Sequence, residues 1–129
     1  MSTKTPRRLV IGISGASGTI YGIRALELLK KTDIETHLVM SKSAEMTMVY
    51  ETDFKPKDVK ALATVAHPAA DIGASISSGS FATMGMIIVP CSIKTMSEIA
   101  TGVTSSLVSR AADVVLKEKR RLVLGVRET

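Results

Sequence analysis

The sequence predicts a doubly wound α/β domain built on a mostly parallel sheet. Three observations carry that class: apolar runs of strand length without polar alternation, helical periodicities lying between them, and turns rich in glycine and serine where one gives way to the next. "RLVIGIS" (8–14) is a continuous apolar run bounded by glycine, the pattern of a strand buried on both faces. Behind the turn that follows, Gly22, Ala25, Leu26 and Leu29 recur at i, i+3, i+4 and i+7, one helical stripe. "IETHLVMS" (34–41) reads as the next strand. "SAEMTMVYE" (43–51) and "KPKDVKALATVA" (55–66) read as helical, the second with Pro56 in its first turn, where a missing N–H costs little. "ASISSGSFATMG" (74–85) is rich in Ser and Gly and reads as loop with a short extended piece. "MGMIIVPCS" (84–92) is another buried strand, "SSLVSRAADVVLKEK" (105–119) an amphipathic helix, and "RLVLGV" (121–126) a last strand. Strands alternating with helices imply right-handed crossovers.

Composition bounds the function classes. With 129 residues, 45% hydrophobic and 22% charged, residues 1–129 are expected to form a single domain with one core. No apolar run approaches the ~18 residues of a membrane span, and "MSTKTPRR" leads into a strand without a signal-peptide cleavage pattern, so a cytoplasmic protein with no membrane partner is expected. The single cysteine, Cys91, leaves a disulfide framework or a cysteine zinc cluster without ligands. A net charge of +5 favours anionic partners, while 3% aromatics and no tryptophan argue against a base-stacking nucleic-acid surface. A buried strand followed at once by Arg127-Glu128-Thr129 has no closing helix, so the expectation is either a truncated chain or a face covered by a partner subunit.

In an open α/β sheet, ligands sit at the carboxyl ends of the strands. Four segments fall there: "SGASG", "MSKS", "PCSIKT" and "RET". Glycine at 12, 15 and 18 permits close backbone approach, and free N–H groups at a helix start attract an anion. The loop reads either as a phosphate cradle or as a tight turn capped by Ser17; without Gly-Lys-Ser/Thr it is no Walker loop. In "PCSIKT", Ser92, Lys94 and Thr95 offer hydroxyls and an ammonium, or else a cap and one solvated lysine. Cys91 reads as a small buried hydrophobe before a nucleophile. Arg110 and Lys117 lie two turns apart at the margin of the buried stripe, and Asp113 could pair with Lys117 as an ordinary surface ion pair. From Arg110 to Arg127 there are six Lys/Arg against two Asp/Glu, an excess that suits phosphate as well as solvent. Glu51 and Glu128 lie just beyond predicted elements on the ligand side. His37 and His67 have no further ligand at metal spacing and read as structural.

Taken together, "GISGASGTIYGIR", "ETHLVMSKSA", "SSGSFATMGMIIVPCSIKT" and "RAADVVLKEKRRLVLGVRET" resemble the flavin prenyltransferase family, whose members were long labelled phenylacrylic or hydroxybenzoate decarboxylases or small subunits of hydroxyarylic acid decarboxylases. The resemblance runs from Arg8 to Thr129 in four ordered segments. It implies a flavodoxin-like domain of the flavin-binding group that also holds cysteine decarboxylases. By the same resemblance Gly15, Ala16, Ser17, Ser41, Ser92, Ile93, Lys94, Thr95 and Arg127 bind FMN. Ser17, Glu51, Arg110, Lys117, Arg127 and Glu128 line the place where dimethylallyl phosphate meets the flavin.

The implied reaction attaches a dimethylallyl group to reduced FMN at N5 and C6, without a metal, and hands prenylated FMN to a partner aromatic-acid decarboxylase, as in ubiquinone biosynthesis. Breaking an allylic C–O bond yields a carbocation and a phosphate, so Lys117 and Arg127 are expected to stabilise the departing charge and Glu128 to move a proton. Family members continue past "RET" with a helix, a Tyr and a basic residue for the donor, and assemble as a dodecamer with sites at subunit junctions, where Arg110 or Glu51 serves a neighbour's flavin. Two other readings stay open. One is a noncatalytic FMN-binding small subunit of an aromatic (hydroxyarylic) acid decarboxylase; the other is a direct aromatic-acid decarboxylase.

Overall fold

The computed structural model describes residues 6–127. Its elements are β1 (Arg8–Ile13), α1 (Thr19–Leu29), β2 (Glu35–Met40), α2 (Lys42–Glu51), α3 (Pro56–Lys60), β3 (Val65–His67), a 3-10 turn (Ser75–Ser77), β4 (Gly85–Cys91), α4 (Ile93–Thr101), α5 (Leu107–Lys117) and β5 (Arg121–Val126). The strands form one sheet in the order β3-β2-β1-β4-β5, and every pairing is parallel. This is the doubly wound arrangement that the alternating pattern predicts, in the flavodoxin-like class that the resemblance implies and with the Rossmann-type strand order 3-2-1-4-5.

Side-chain alternation in the central strands divides the interior in two. Ile11 and Ile13 of β1 face Ile23 and Leu26 of α1, together with Leu38, Met40, Met48 and Val59. Val10 points the other way and joins Val39, Met86, Ile88, Leu107, Ala111 and Val115 beneath α4 and α5. Both faces of β1 are therefore buried, which is why "RLVIGI" carries no polar alternation. Burying one such aliphatic side chain contributes about 1.5–3 kcal/mol, and truncating fully buried Leu26 to Ala costs about 2–5 kcal/mol once the cavity is counted.

Two segments depart from the periodicity. The helical pattern of 55–66 stops at Lys60, and Val65 to His67 instead pairs with His37 to Val39 as β3. The switch is set by Thr64 and Thr36, each backbone N–H of which donates to the other's hydroxyl, at 2.9 and 3.0 Å. Sheet pairing gained at long range thus outweighs local helix propensity. The stretch 74–85 holds the 3-10 turn rather than an extended piece before β4 begins. At the far edge, β5 alternates between Leu122 and Leu124, which pack on the α5 side, and Val123, which is about half exposed on the other.

The fold places its functional edge by chain direction. From β1 the chain moves outward through β2 to β3, then crosses to β4 and β5 on the opposite side. The carboxyl ends of β1 and β4 therefore flank the point where the winding reverses, the crevice in which this architecture receives ligands.

Candidate functional site

The first turn of α1 opens this crevice. Gly18 caps the helix with φ of +100°, a left-handed conformation that costs glycine nothing, and has no side chain of its own to accept the first amides. Ser17 is thus not the cap that a tight-turn reading expects; it stands exposed at the lip of the loop. The acceptor comes from far along the chain: Glu51, last residue of α2, brings Oε1 to the N–H of Gly18 at 3.0 Å and to the N–H and hydroxyl of Thr19 at 3.4 Å each. Hydrogen bonding from the Gly18 amide, with further help from Ser17 and Thr19, holds the Glu51 carboxyl below the ordinary carboxylate range and outweighs the opposing desolvation. Glu51 is ionised at neutral pH.

Arg127, just beyond β5, completes the cleft. Its backbone N–H donates to the Cys91 carbonyl at 3.0 Å, and its guanidinium carbon lies 5.3 Å from the ring centroid of Tyr21 on α1, a cation–π contact. Ser17, Gly18, Ile20, Tyr21, Glu51, Thr52 and Arg127 line a cleft of about 390 Å³, the size range of small-ligand pockets. Two opposite charges and the positive end of a helix thus converge on one space. Arg127 attracts an anion, while ionised Glu51, held by the α1 amides, attracts positive charge.

The remaining residues expected to contact flavin lie just beyond the carboxyl ends of β1, β2 and β4, outside the lining of this cleft. Gly15 packs so close to α2 that a Cβ on it would stand 2.7 Å from the Ser43 Cβ. Ser41 caps α2, its hydroxyl accepting the Ala44 N–H at 3.1 Å, and lies within 3.1 Å of the Ser43 hydroxyl. Ser92 caps α4 by accepting the Thr95 N–H at 3.1 Å and donates its own hydroxyl to Thr95 at 3.0 Å. Ile93 and Lys94 are exposed, whereas Ala16 is fully buried, so only a shift of its neighbours would bring it to a ligand.

Two predicted donor-site residues are not brought here. Arg110 is exposed in the first turn of α5, and Lys117 lies at that helix's far end, paired with Asp113 at 2.9 Å. Because α5 returns the chain to the amino end of β5, Lys117 sits at the opposite edge of the sheet from Ser17. Glu128 lies outside the described residues. Cys91 is buried, and burial pushes its thiol up, away from nucleophilic use. His37 and His67 meet each other at 2.9 Å across β2 and β3, and Glu35 accepts from His37 at 2.8 Å. Among the described residues no group of three or more His, Cys, Asp or Glu could hold a metal ion.

Five residues at or beside the cleft escape sequence reasoning: Thr19, Ile20, Tyr21, Thr52 and Ser14. Thr19 and Tyr21 follow directly on the glycine loop, and their position in the first turn of α1 is the available signal. Ser14 is 1% exposed and joins the loop to β4.

Residues 1–125 match the family described as Flavoprotein. Flavin prenyltransferase UbiX of Escherichia coli (strain K12) is 64% identical over 124 residues, which make up 95% of this chain and 66% of that protein. AnUbiX (PadA1), solved in complex with FMN and dimethylallyl pyrophosphate, superposes with a TM-score of 0.95 at 53% identity, over 97% of this chain and 66% of that one. A dodecameric FMN-dependent UbiX-like decarboxylase from Escherichia coli O157:H7 gives a TM-score of 0.93 at 51% identity, over 95% of this chain and 67% of that one. The chain thus spans about two thirds of the length of the curated relatives it matches. It belongs to the flavoprotein family and, within it, to the flavin prenyltransferases.

Proposed function

We propose that this chain forms the flavin-holding part of a flavin prenyltransferase, which transfers a dimethylallyl group from a phosphorylated donor to reduced FMN and releases prenylated FMN to an aromatic-acid decarboxylase. The observation that carries the reading is the meeting of Ser17, Glu51 and Arg127, far apart in sequence, around one cleft at the switch point of the sheet. The solved relative that holds FMN and dimethylallyl pyrophosphate supports it. The donor is dimethylallyl phosphate or its pyrophosphate; both present an anionic phosphate leaving group to Arg127.

The residues present suit a flavin nucleotide: Gly15 lets backbone approach closely, the α4 start offers amides to a phosphate, and Ser41 and Ser43 add hydroxyls. Reduced FMN, when bound, supplies the electron-rich ring that accepts the allyl group. Arg127 then stabilises phosphate as the allylic C–O bond lengthens, while the amides of Gly18 and Thr19 hold Glu51 in place. Ionised Glu51 faces the same space and stabilises the positive charge that develops on the allyl carbon, or takes up the proton released when the ring system closes. Ile20 and the Tyr21 ring present apolar surface that limits water at the reacting centre.

Arg110 and Lys117, remote from this cleft, would act in the site of a neighbouring subunit, and the dodecameric relative supports such an assembly. Glu128 would move a proton at the phosphate. A buried, unpaired cysteine suits a reducing compartment, and we place the protein in the cytoplasm. Among the described residues no helix is long and apolar enough to cross a membrane.

Titration with FMN, followed by flavin absorbance and fluorescence, tests the cradle. Saturable binding lost on Arg127→Ala supports the assignment, and protein that never takes up flavin refutes it. Purified protein that releases carbon dioxide from an aromatic acid unaided would favour direct decarboxylation instead.

A further inference from the structure

We infer that Ser14 is a positioning residue that fixes the spacing of the two ligand loops, Gly15–Gly18 and Ser92–Thr95, across the switch point. The inference rests on the flavin-binding reading of those loops.

The need for such a residue follows from β4. Pairing of β1 with β4 runs through Val10, Ile11 and Gly12 against Met86, Ile87 and Ile88, and the β4–β5 register shifts between Ile88 and Cys91. Pro90 then stands in β4 with no N–H to donate, so the ladder loses a rung just where both loops are about to leave the sheet. Ser14 supplies the connection. Its N–H donates to the Pro90 carbonyl at 3.1 Å, its hydroxyl donates to the same carbonyl at 3.0 Å, and that hydroxyl accepts the Ser92 N–H at 2.7 Å. One side chain thus links the Pro90 carbonyl and the Ser92 N–H just beyond the missing rung.

Its three bonds involve groups that have no water to fall back on. Ser14 is 1% exposed and Ser92 is 5% exposed, so an unpaired Ser92 N–H would remain buried. Ser92 in turn caps α4 through Thr95, and Ser14 immediately precedes Gly15. A shift of the Ser14 hydroxyl therefore moves the start of α4 relative to the glycine loop. The apolar neighbours Ile13 and Cys91 cannot substitute, since neither offers a hydroxyl at this point.

The role separates from simple packing by its effect on the phosphate. Ser14→Ala and the near-isosteric Ser14→Cys are compared with the unmodified protein by amide hydrogen exchange and by titration with FMN and with riboflavin, which lacks the phosphate. Expected are at least tenfold faster exchange of the Ser92 N–H, at least tenfold weaker FMN binding, and riboflavin binding changed less than threefold, with Ser14→Cys intermediate. Should Ser14→Ala fail to fold, Ser14→Cys carries the same comparison.

Unchanged exchange at Ser92 would overturn the clamp. Faster exchange with FMN and riboflavin weakened equally, or with FMN unaffected, would reduce Ser14 to a structural residue and overturn the inference. Failure of the unmodified protein to bind either flavin would instead strike the functional reading; slow exchange at Ser92 would still uphold the clamp and fast exchange would refute it.

Discussion

The Glu51 carboxylate accepts the Gly18 N–H at 3.0 Å and so occupies the amide-lined start of α1 with an internal anion. This contact lowers the carboxyl pKa, chiefly through the Gly18 amide. The sign of the linkage follows: the folded protein binds its proton less readily than the unfolded chain, so the contact stabilises the fold above the ordinary unfolded value of about 4.3 and that contribution disappears as pH falls through the lowered one. Glu51→Gln, which keeps the size but not the charge, is expected to melt below wild type at pH 7 and to converge with it near pH 3. Parallel melting curves across that range would contradict the assignment.

Gly15 is the most sterically constrained position of the cradle. A Cβ there would stand 2.7 Å from the Ser43 Cβ, on a helix that cannot yield without moving Glu51. Gly15→Ala is expected to cost about 1–3 kcal/mol, the range for overpacking, and to weaken FMN binding by at least tenfold. Thermal melting and flavin titration of the same preparation read the two effects.

Tyr21 is the platform on which Arg127 rests. Its ring is half exposed, so the cation–π contact contributes about 0.5–1 kcal/mol and its loss weakens retention of a phosphate by about two- to fivefold. Tyr21→Leu preserves the apolar wall and is expected to raise the KM for the phosphorylated donor by that factor with melting temperature nearly unchanged. An unaltered KM would free Arg127 from this support.

The histidine pair answers to acid differently from the cleft. Glu35 accepts from His37 Nε2, which leaves His37 Nδ1 to accept from His67 Nε2 in the neutral pair. Burial, then the charge of His37, push the His67 pKa down, against the opposing Asp71. The unfolded chain therefore takes up a proton at His67 before the folded one does, and stability falls as pH drops through the ordinary imidazole value of about 6.5. His67→Gln is expected to flatten the melting temperature between pH 7.5 and pH 5.5, with Arg8, Glu35 and Asp71 intact around it. An equal decline in both proteins would remove His67 as its source.

Much of the fold and of the cleft is legible in the sequence, for physical reasons that also explain the rest. β1, β4 and α5 bury long, regular apolar patterns, and such patterns read directly as elements. β3 does not, because three residues of strand depend on Thr36, twenty-eight positions from Thr64. Ser17, Glu51 and Arg127 stand out as residue types beside predicted strand and helix ends, and the fold brings them together. The Ser14 hydroxyl and the Thr19 amide and hydroxyl make contacts that no periodicity reveals. Lys117 shows the opposite case: its charge is evident, but its place at the amino edge of the sheet follows only from the run of α5.

Transfer itself is the most direct test. The protein, in a form as long as its curated relatives, is incubated without oxygen with reduced FMN and dimethylallyl phosphate, and in parallel with the pyrophosphate, and the flavin is extracted and weighed by mass spectrometry. The account predicts a flavin enlarged by one dimethylallyl unit, lost on Arg127→Ala and strongly reduced on Glu51→Gln. Recovery of unmodified flavin from protein saturated with FMN and with both donors in turn would contradict it, and would leave a flavin-binding protein in place of a prenyltransferase.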